Sequence, residues 1–197
     1  MIDKIIAFEA APDHTPWRQS VLLVGSGSAG ERVFASQCET LSHDVPDLYA
    51  QRKVYTGLIP DGYDVFTGDR STLLPMLNEG SLWSIYLGHG GGGVWGNGRL
   101  LVNSDVPVLK NSTRPGIFLS MTCFTGAFEG AYAGLNSLGE EMLFGAEGGG
   151  AVAWLGSTNL GWVNNDYYLT QSLVWTGIKS SYERRSLGEI ITAAKSD

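Results

Sequence analysis

The sequence predicts an α/β fold, with a mostly parallel sheet and helices on both of its faces. Five apolar runs of strand length each end at a glycine or a polar turn, and stretches with helical spacing lie between them. The runs are almost continuously apolar instead of alternating, which is typical of strands covered on both faces. Strands that alternate with helices indicate a parallel sheet joined by crossover helices.

The predicted elements follow one another along the whole chain. The strands are expected at 21–24, 53–56, 82–87, 117–121 and 151–155. The helices are predicted from apolar residues three and four positions apart, and from capping boxes in which a serine precedes a glutamate by three residues. They are expected at 31–41, 72–78, 137–144 and 166–176, with a last helix that begins at the capping box of 186–189.

Composition excludes several classes of protein. The chain has 197 residues, of which 43% are hydrophobic and 17% are charged, so it is not a solvated disordered segment. No apolar run approaches the ~20 residues that span a bilayer. With 13 basic and 20 acidic residues the net charge is −7, which gives no general attraction to nucleic acid. No signal peptide is visible at the start of this chain.

Two reactive side chains follow neighbouring strands of the predicted sheet. His89 follows the third strand and Cys123 follows the fourth, and ligands of open parallel sheets bind at these carboxyl ends. Neighbouring strands lie about 4.8 Å apart, so the two side chains can share one cleft. Histidine activates a thiol as a nucleophile, and the amides of Gly90 and Cys123 are placed to stabilise an oxyanion. From spacing alone, a buried cysteine and a structural histidine remain the alternative.

The other cysteine and the remaining motifs favour simpler interpretations. Cys38 falls on the apolar stripe of a helix and is expected in the core. The chain has only two cysteines and three histidines, without paired metal-ligand spacing, so no zinc site is expected. The segment 25–30 reads G-x-G-x-x-G, but the next strand lacks the acid of a dinucleotide site, which favours a tight strand-to-helix turn. The HGGG of 89–92 is not accompanied by the G-x-S-x-G motif of esterases.

Several sequence blocks resemble the gingipain-type family of cysteine peptidases, whose members share the caspase-like fold. The blocks that carry the resemblance read YLGHG at 86–90, WG at 95–96 and LSMTCFTGAF at 119–128. It continues in WR at 17–18, LGEE at 138–141 and GGAVAWLGST at 149–158. Most of the chain is therefore covered.

The resemblance implies a caspase-like three-layer sandwich and a cysteine endopeptidase that acts on proteins or peptides. It implies that His89 is the general base or proton donor, that Cys123 is the nucleophile, and that the amides of Gly90 and Cys123 form the oxyanion hole. Trp162 is expected to form an aromatic wall of the specificity pocket. No cofactor is implied, and the sequence does not reveal whether calcium binds. An extracellular or cell-surface location is implied as well.

The family pattern also implies that residues 1–197 are one peptidase domain of a longer protein. The family usually closes with a strand that carries a Gly-Asp-Pro motif, and this sequence ends before such a strand. We therefore expect a sheet edge that is left uncovered or is covered by another chain, and other domains of the longer chain as partners.

Two departures bear on activity and specificity. The loop at 25–30 contains no acid before Glu31, so the acid that some members place beside the histidine is expected to be missing. Ala35 falls where arginine-specific members carry an aspartate, which predicts no strict preference for arginine before the cleaved bond. The alternative is that Glu31 or Asp166 supplies the negative charge that an arginine-binding pocket requires.

Two competing functions remain. One is a catalytically silent caspase-like domain that binds a partner, and the other is a nucleotide-binding protein that uses Gly25–Gly30.

Overall fold

A computed structural model describes residues 1–10, 15–129, 135–145, 149–180 and 185–196. Five strands form one parallel sheet and three short strands form a second, antiparallel sheet. The strands are β1 (Ser20–Ser26), β2 (Ala50–Thr56), β3 (Trp83–Gly88), β4 (Gly90–Gly91), β5 (Val94–Trp95), β6 (Leu101–Val102), β7 (Gly116–Met121) and β8 (Ala151–Gly156). The order is β2-β1-β3-β7-β8 in the large sheet and β4-β5-β6 in the small one.

Within the described residues, one helix precedes the first strand, three lie between strands of the large sheet, and two follow the last strand. They are α1 (Ile2–Ala10), α2 (Val33–Ser42), α3 (Arg70–Glu79), α4 (Leu138–Glu140), α5 (Val163–Leu173) and α6 (Leu187–Ala194). Both α4 and α5 continue into π-helical turns, at Glu141–Gly145 and Val174–Lys179. The predicted capping boxes open α4 and α6, where Ser137 and Ser186 each accept the amide of the glutamate three residues later.

Alternate residues of β1 enter two separate hydrophobic cores. Val21 and Leu23 pack in a core with side chains of α2, α5 and α6. Leu22 and Val24 pack in the other core, which α3 and the small sheet complete. Since successive side chains of a strand point to opposite faces, the sheet is covered on both sides. The predicted caspase-like three-layer sandwich is confirmed.

Two elements were not predicted from the sequence. The small sheet consists of strands of two residues each, too short and too rich in glycine to show a strand pattern. Helix α1 contains no buried residue, and its Lys4 Nζ donates to the carbonyls of Leu143, Gly149 and Ala151. Its Phe8 contacts Trp17 and Arg18. Burial lowers the pKa of Lys4. No helix in the described ranges is both long and apolar enough to cross a membrane.

Candidate active site

His89 follows β3 at the carboxyl edge of the large sheet, and its main chain is held on both sides. Its amide donates to the Ser26 carbonyl over 3.3 Å, and its carbonyl accepts from the Gly96 amide at 2.7 Å and from the Tyr86 hydroxyl. The imidazole meets the Phe34 ring edge-on, with centroids 5.3 Å apart. The side chain remains 40% exposed, so the ring is fixed in place and open to a substrate.

Glu31 is the acidic partner of this histidine. Glu31 Oε2 lies 2.8 Å from His89 Nε2 and also accepts the Ser28 amide at 2.7 Å. These bonds, that of the Ser28 amide first, lower the pKa of Glu31, so the carboxylate is ionised. Because a carboxylate only accepts, His89 Nε2 carries a proton and Nδ1 of the neutral ring keeps its lone pair. The expectation that the acid beside the histidine is missing is therefore wrong.

Cys123 follows β7, the neighbour of β3 in the sheet. Leu87 near the end of β3 pairs with Met121 at the end of β7, so His89 and Cys123 leave the sheet at the same edge. The Gly161 amide donates to Cys123 Sγ at 3.3 Å, and Sγ lies 3.9 Å from the Gly161 carbonyl oxygen, so the main chain of Gly161 fixes the position of the sulfur. Phe124 has φ +60°, a conformation that is strained for a bulky residue and often marks a functional turn.

The Gly90 main chain packs against Thr122, the residue before Cys123. A Cβ at Gly90 would lie 2.7 Å from Thr122 Oγ1 and 2.8 Å from the Val94 carbonyl oxygen, so only glycine fits. Within the described residues, the Cys123 amide donates no hydrogen bond to the protein. That amide is consequently free to donate to a substrate oxygen beside Cys123 Sγ.

A buried hydrogen-bond chain connects the small sheet to the turn at residues 122–126, which contains Cys123 and is called the cysteine turn below. Trp95 Nε1 donates to Ser120 Oγ at 2.8 Å, and Ser120 Oγ lies 2.8 Å from Thr125 Oγ1. All three residues have no exposed side-chain surface. Trp95 pairs with Gly90 across the small sheet, whereas Ser120 and Thr125 flank Cys123 along the chain. The hairpin of β4 and β5, which follows His89, and the cysteine turn are therefore fixed relative to each other.

Comparison with known proteins decides the family. The profile of peptidase family C25 matches residues 1–197, the full length of this sequence. The chain belongs to this family, the gingipain-type cysteine peptidases. The family that the sequence blocks indicated is confirmed. No curated protein matches the chain.

Solved structures show the same fold for this C25 chain. It is similar to the crystal structure of the Arg-specific cysteine proteinase gingipain R (RgpB), with a TM-score of 0.76 and 16% identity over 98% of this chain and 45% of that one. The complex of pro- and mature domains of RgpB from Porphyromonas gingivalis gives a TM-score of 0.74 and 17% identity, over 98% and 46%. A third match, described as a protease, gives 0.66 and 20%, over 87% and 36%. The C25 chain thus spans less than half the length of these structures.

Asp166 lies beside the cysteine turn of the C25 chain. A Cβ at Gly161 would lie 2.5 Å from Asp166 Oδ2 and 3.1 Å from the Thr122 carbonyl carbon. Burial raises the pKa of Asp166, because the carboxylate is half-buried and no Lys or Arg in the described ranges lies within 4.0 Å of it. Trp162, whose carbonyl accepts the Asp166 amide at 2.8 Å, precedes α5 and is 67% exposed.

One other predicted position lies elsewhere than expected. Ala35 was placed by the family resemblance at a position of the specificity pocket, but it is only 2% exposed and packs in the core with Cys38, so it does not line an open pocket. The predicted core position of Cys38 is confirmed. In the G-x-G-x-x-G loop, the amides of Gly27, Ser28 and Glu31 already donate to the Thr56 carbonyl, the Glu31 carboxylate and the Ser28 carbonyl. These amides are not available to a phosphate, so the loop is the tight turn that the sequence favours.

Proposed function

We propose that this chain is the catalytic domain of a cysteine endopeptidase that cleaves proteins or peptides through a covalent acyl-enzyme. The observation that carries the proposal is the hydrogen bond from His89 Nε2 to Glu31, because it leaves Nδ1 as the base. A domain that only binds a partner does not require an oriented imidazole at the same sheet edge as a cysteine. The carboxylate also offsets the positive charge that the ring gains when it takes a proton.

The reaction follows from the positions of these groups. His89 Nδ1 accepts the Cys123 thiol proton, and Sγ attacks the peptide carbonyl carbon. The amides of Gly90 and Cys123 donate to the resulting oxyanion. The C–N bond then breaks, His89 returns its proton to the leaving amine, and a thioester on Cys123 remains. Water gives a proton to His89 and attacks the thioester, which releases the acid and regenerates the thiol.

Hydrolysis of a mixed peptide library tests this proposal. We expect defined internal cleavages that appear under reducing conditions and stop after alkylation of the chain with iodoacetamide. Peptides that stay intact in the presence of the folded, reduced protein would support the silent binding domain instead. Cleavage that survives complete alkylation of Cys123 would exclude the thiol mechanism.

We propose that Asp166, rather than Glu31, provides the charge of the specificity pocket. The Glu31 carboxylate is already bonded to His89 and to the Ser28 amide. Asp166 has no basic partner in the described ranges and lies next to Gly161 and the cysteine turn. A half-buried carboxylate favours a basic side chain before the cleaved bond, with Trp162 as a wall of the pocket. We expect both arginine and lysine to be accepted there.

Asp166→Asn is expected to lower the preference for an arginine peptide over its glutamine analogue by about tenfold in kcat/KM. It should also stabilise the protein at neutral pH. Burial raises the folded-state pKa, so ionised Asp166 destabilises the fold above the ordinary value of 3.8, and this cost disappears as pH falls below it. Thermal unfolding of the parent protein and of Asp166→Asn at pH 7 and at pH 3 shows whether the variant is the more stable protein only at the higher pH. The exposed Asp61→Asn is the control, and equal behaviour of the two variants would contradict the assignment.

Glu31→Gln is expected to reduce kcat by about ten- to a hundredfold, because an amide cannot fix the same tautomer and charge on His89. Because the pKa of Glu31 is lowered, the carboxylate stays ionised below its ordinary value of 4.5. Its contribution to kcat is therefore lost only as pH falls through the pKa of Glu31 in the folded protein. The pH profile of kcat in both proteins measures this, with Glu9→Gln as the control. Profiles that coincide above pH 5 would show that Glu31 does not assist His89.

We further propose that the chain acts outside the cell, as the family resemblance implies.

The proposed mechanism uses only water and the side chains and amides of this chain, and it needs no cofactor. Within the described ranges, no group of three His, Cys, Asp or Glu side chains is arranged to hold a metal ion.

A further inference from the structure

A cavity of about 620 Å³ adjoins the candidate catalytic centre on the side of the small sheet. Gly90 and Gly91, which follow His89 directly, form part of its wall. The rest of the wall comes from the hairpin that follows β5 and from the segment after β6, including Asn97, Arg99 and Asn103. The cavity therefore begins at the main chain that holds the catalytic histidine.

Arg99 gives this cavity a positive charge. It is the one charged side chain among the residues that line the cavity. In the part of the chain that the structure describes, no carboxylate lies within 4.0 Å of its guanidinium, and that guanidinium donates no hydrogen bond. Arg99 is an exposed residue, and its positive charge is therefore accessible to a ligand in a protein whose net charge is −7. A guanidinium in this position suits a carboxylate, which it can hold by two parallel hydrogen bonds.

The backbone of Arg99 is also unusual. Its φ is +55°, in the left-handed region where glycine and asparagine are the common residues. Gly98 and Asn97, which adopt this conformation more readily, directly precede Arg99. The left-handed position of the turn is nevertheless occupied by the long charged residue. The Arg99 amide donates to the Gly96 carbonyl at 3.0 Å, which fixes the turn. Strained main-chain conformations of this kind cluster at active sites and ligand-binding sites.

We propose that this cavity is a subsite for an acidic side chain on the leaving-group side of the cleaved bond, and that Arg99 is its specificity-determining residue. The inference rests on the proposed peptidase function. His89 gives its proton to the leaving amine, so the departing segment emerges beside His89 and Gly90, where the cavity begins. The acyl segment lies on the other side of Cys123, towards Gly161 and Asp166. A peptide with Asp or Glu shortly after the cleaved bond would place its carboxylate near Arg99.

Peptides that differ only after the cleaved bond test the proposal. One series carries Asp, Asn or Lys at each of the first three positions, with the preceding residues unchanged. We expect kcat/KM to fall from Asp to Asn to Lys at one of these positions, by about three- to fivefold in total, and less at high salt. Arg99→Asn, which tolerates the left-handed backbone, should remove the ranking, and Arg99→Asp should reverse it. Lys110→Asn removes an exposed positive charge elsewhere and should keep the ranking.

Binding to the Cys123→Ala protein separates this inference from the proposed function. Fluorescence titration gives the Kd of the Asp and Lys peptides without any cleavage. Tighter binding of the Asp peptide that is lost in the Cys123→Ala, Arg99→Asn double variant supports the subsite even if the parent chain cleaves nothing. Equal affinities, or the same loss in Lys110→Asn as in Arg99→Asn, would overturn it even if the chain proves to be an active peptidase.

Discussion

Replacing Cys123 with alanine should reduce peptide hydrolysis by about 10⁴-fold or more, because no other group can form the acyl-enzyme. The fold should be retained, since the Cys123 side chain is only partly buried and its Sγ accepts a single amide hydrogen bond, from Gly161. Initial rates with a cleaved peptide, together with thermal unfolding, measure both consequences. Activity of Cys123→Ala close to that of the parent protein would refute the assigned nucleophile.

Cys38→Ala is the matched control for this variant. Cys38 lies on the buried face of α2, where its side chain is fully enclosed in the core, and burial raises the pKa of its thiol. Its loss should lower stability by about 1 kcal/mol through a small cavity and leave the rate per folded molecule nearly unchanged. Iodoacetamide should modify Cys123 and spare Cys38 in the folded protein. Equal labelling of both thiols would contradict the account.

His89→Ala should also lower kcat by about 10⁴-fold, because the thiol then lacks its base and the leaving amine lacks its proton donor. Since Cys123 and His89 act in the same step, the double variant should be hardly less active than either single variant. Added imidazole should restore part of the activity of His89→Ala by entering the space that the ring leaves. The exposed His43→Ala is the control.

Losses that multiply in the double variant would show that the two residues act in separate steps. A His89→Ala protein that keeps most of its activity would remove the histidine from the mechanism altogether.

The sequence predicted the sheet and the candidate pair because both depend on local pattern. Four of the five strands of the large sheet are apolar runs that end at glycine or polar turns, and His89 and Cys123 each follow one of these four. The edge strand β2 is the exception, because it begins with polar and charged residues at 51–53. Their presence at one edge follows from the neighbouring positions of β3 and β7. Such information is contained in spacing and needs no knowledge of side-chain direction.

The role of Glu31 depends on how the chain turns after β1, and spacing alone did not reveal it. The loop brings the Ser28 amide to the Glu31 carboxylate, and this bond holds the carboxylate at His89. One local signal was available, because Ser28 and Glu31 have the spacing of a serine and an acid around a helix start. Asp166 was recognised as an alternative, but its closeness to Gly161 depends on the packing of α5 against the sheet.

Mass spectrometry of the enzyme quenched with acid during turnover tests the central claim most directly. A slowly hydrolysed peptide ester should add the mass of its acyl group to the protein, peptide mapping should place that group on Cys123, and it should disappear as the acid product forms. The adduct should be absent in Cys123→Ala. Formation of product without any adduct under single-turnover conditions, or an acyl group on a residue other than Cys123, would contradict the account.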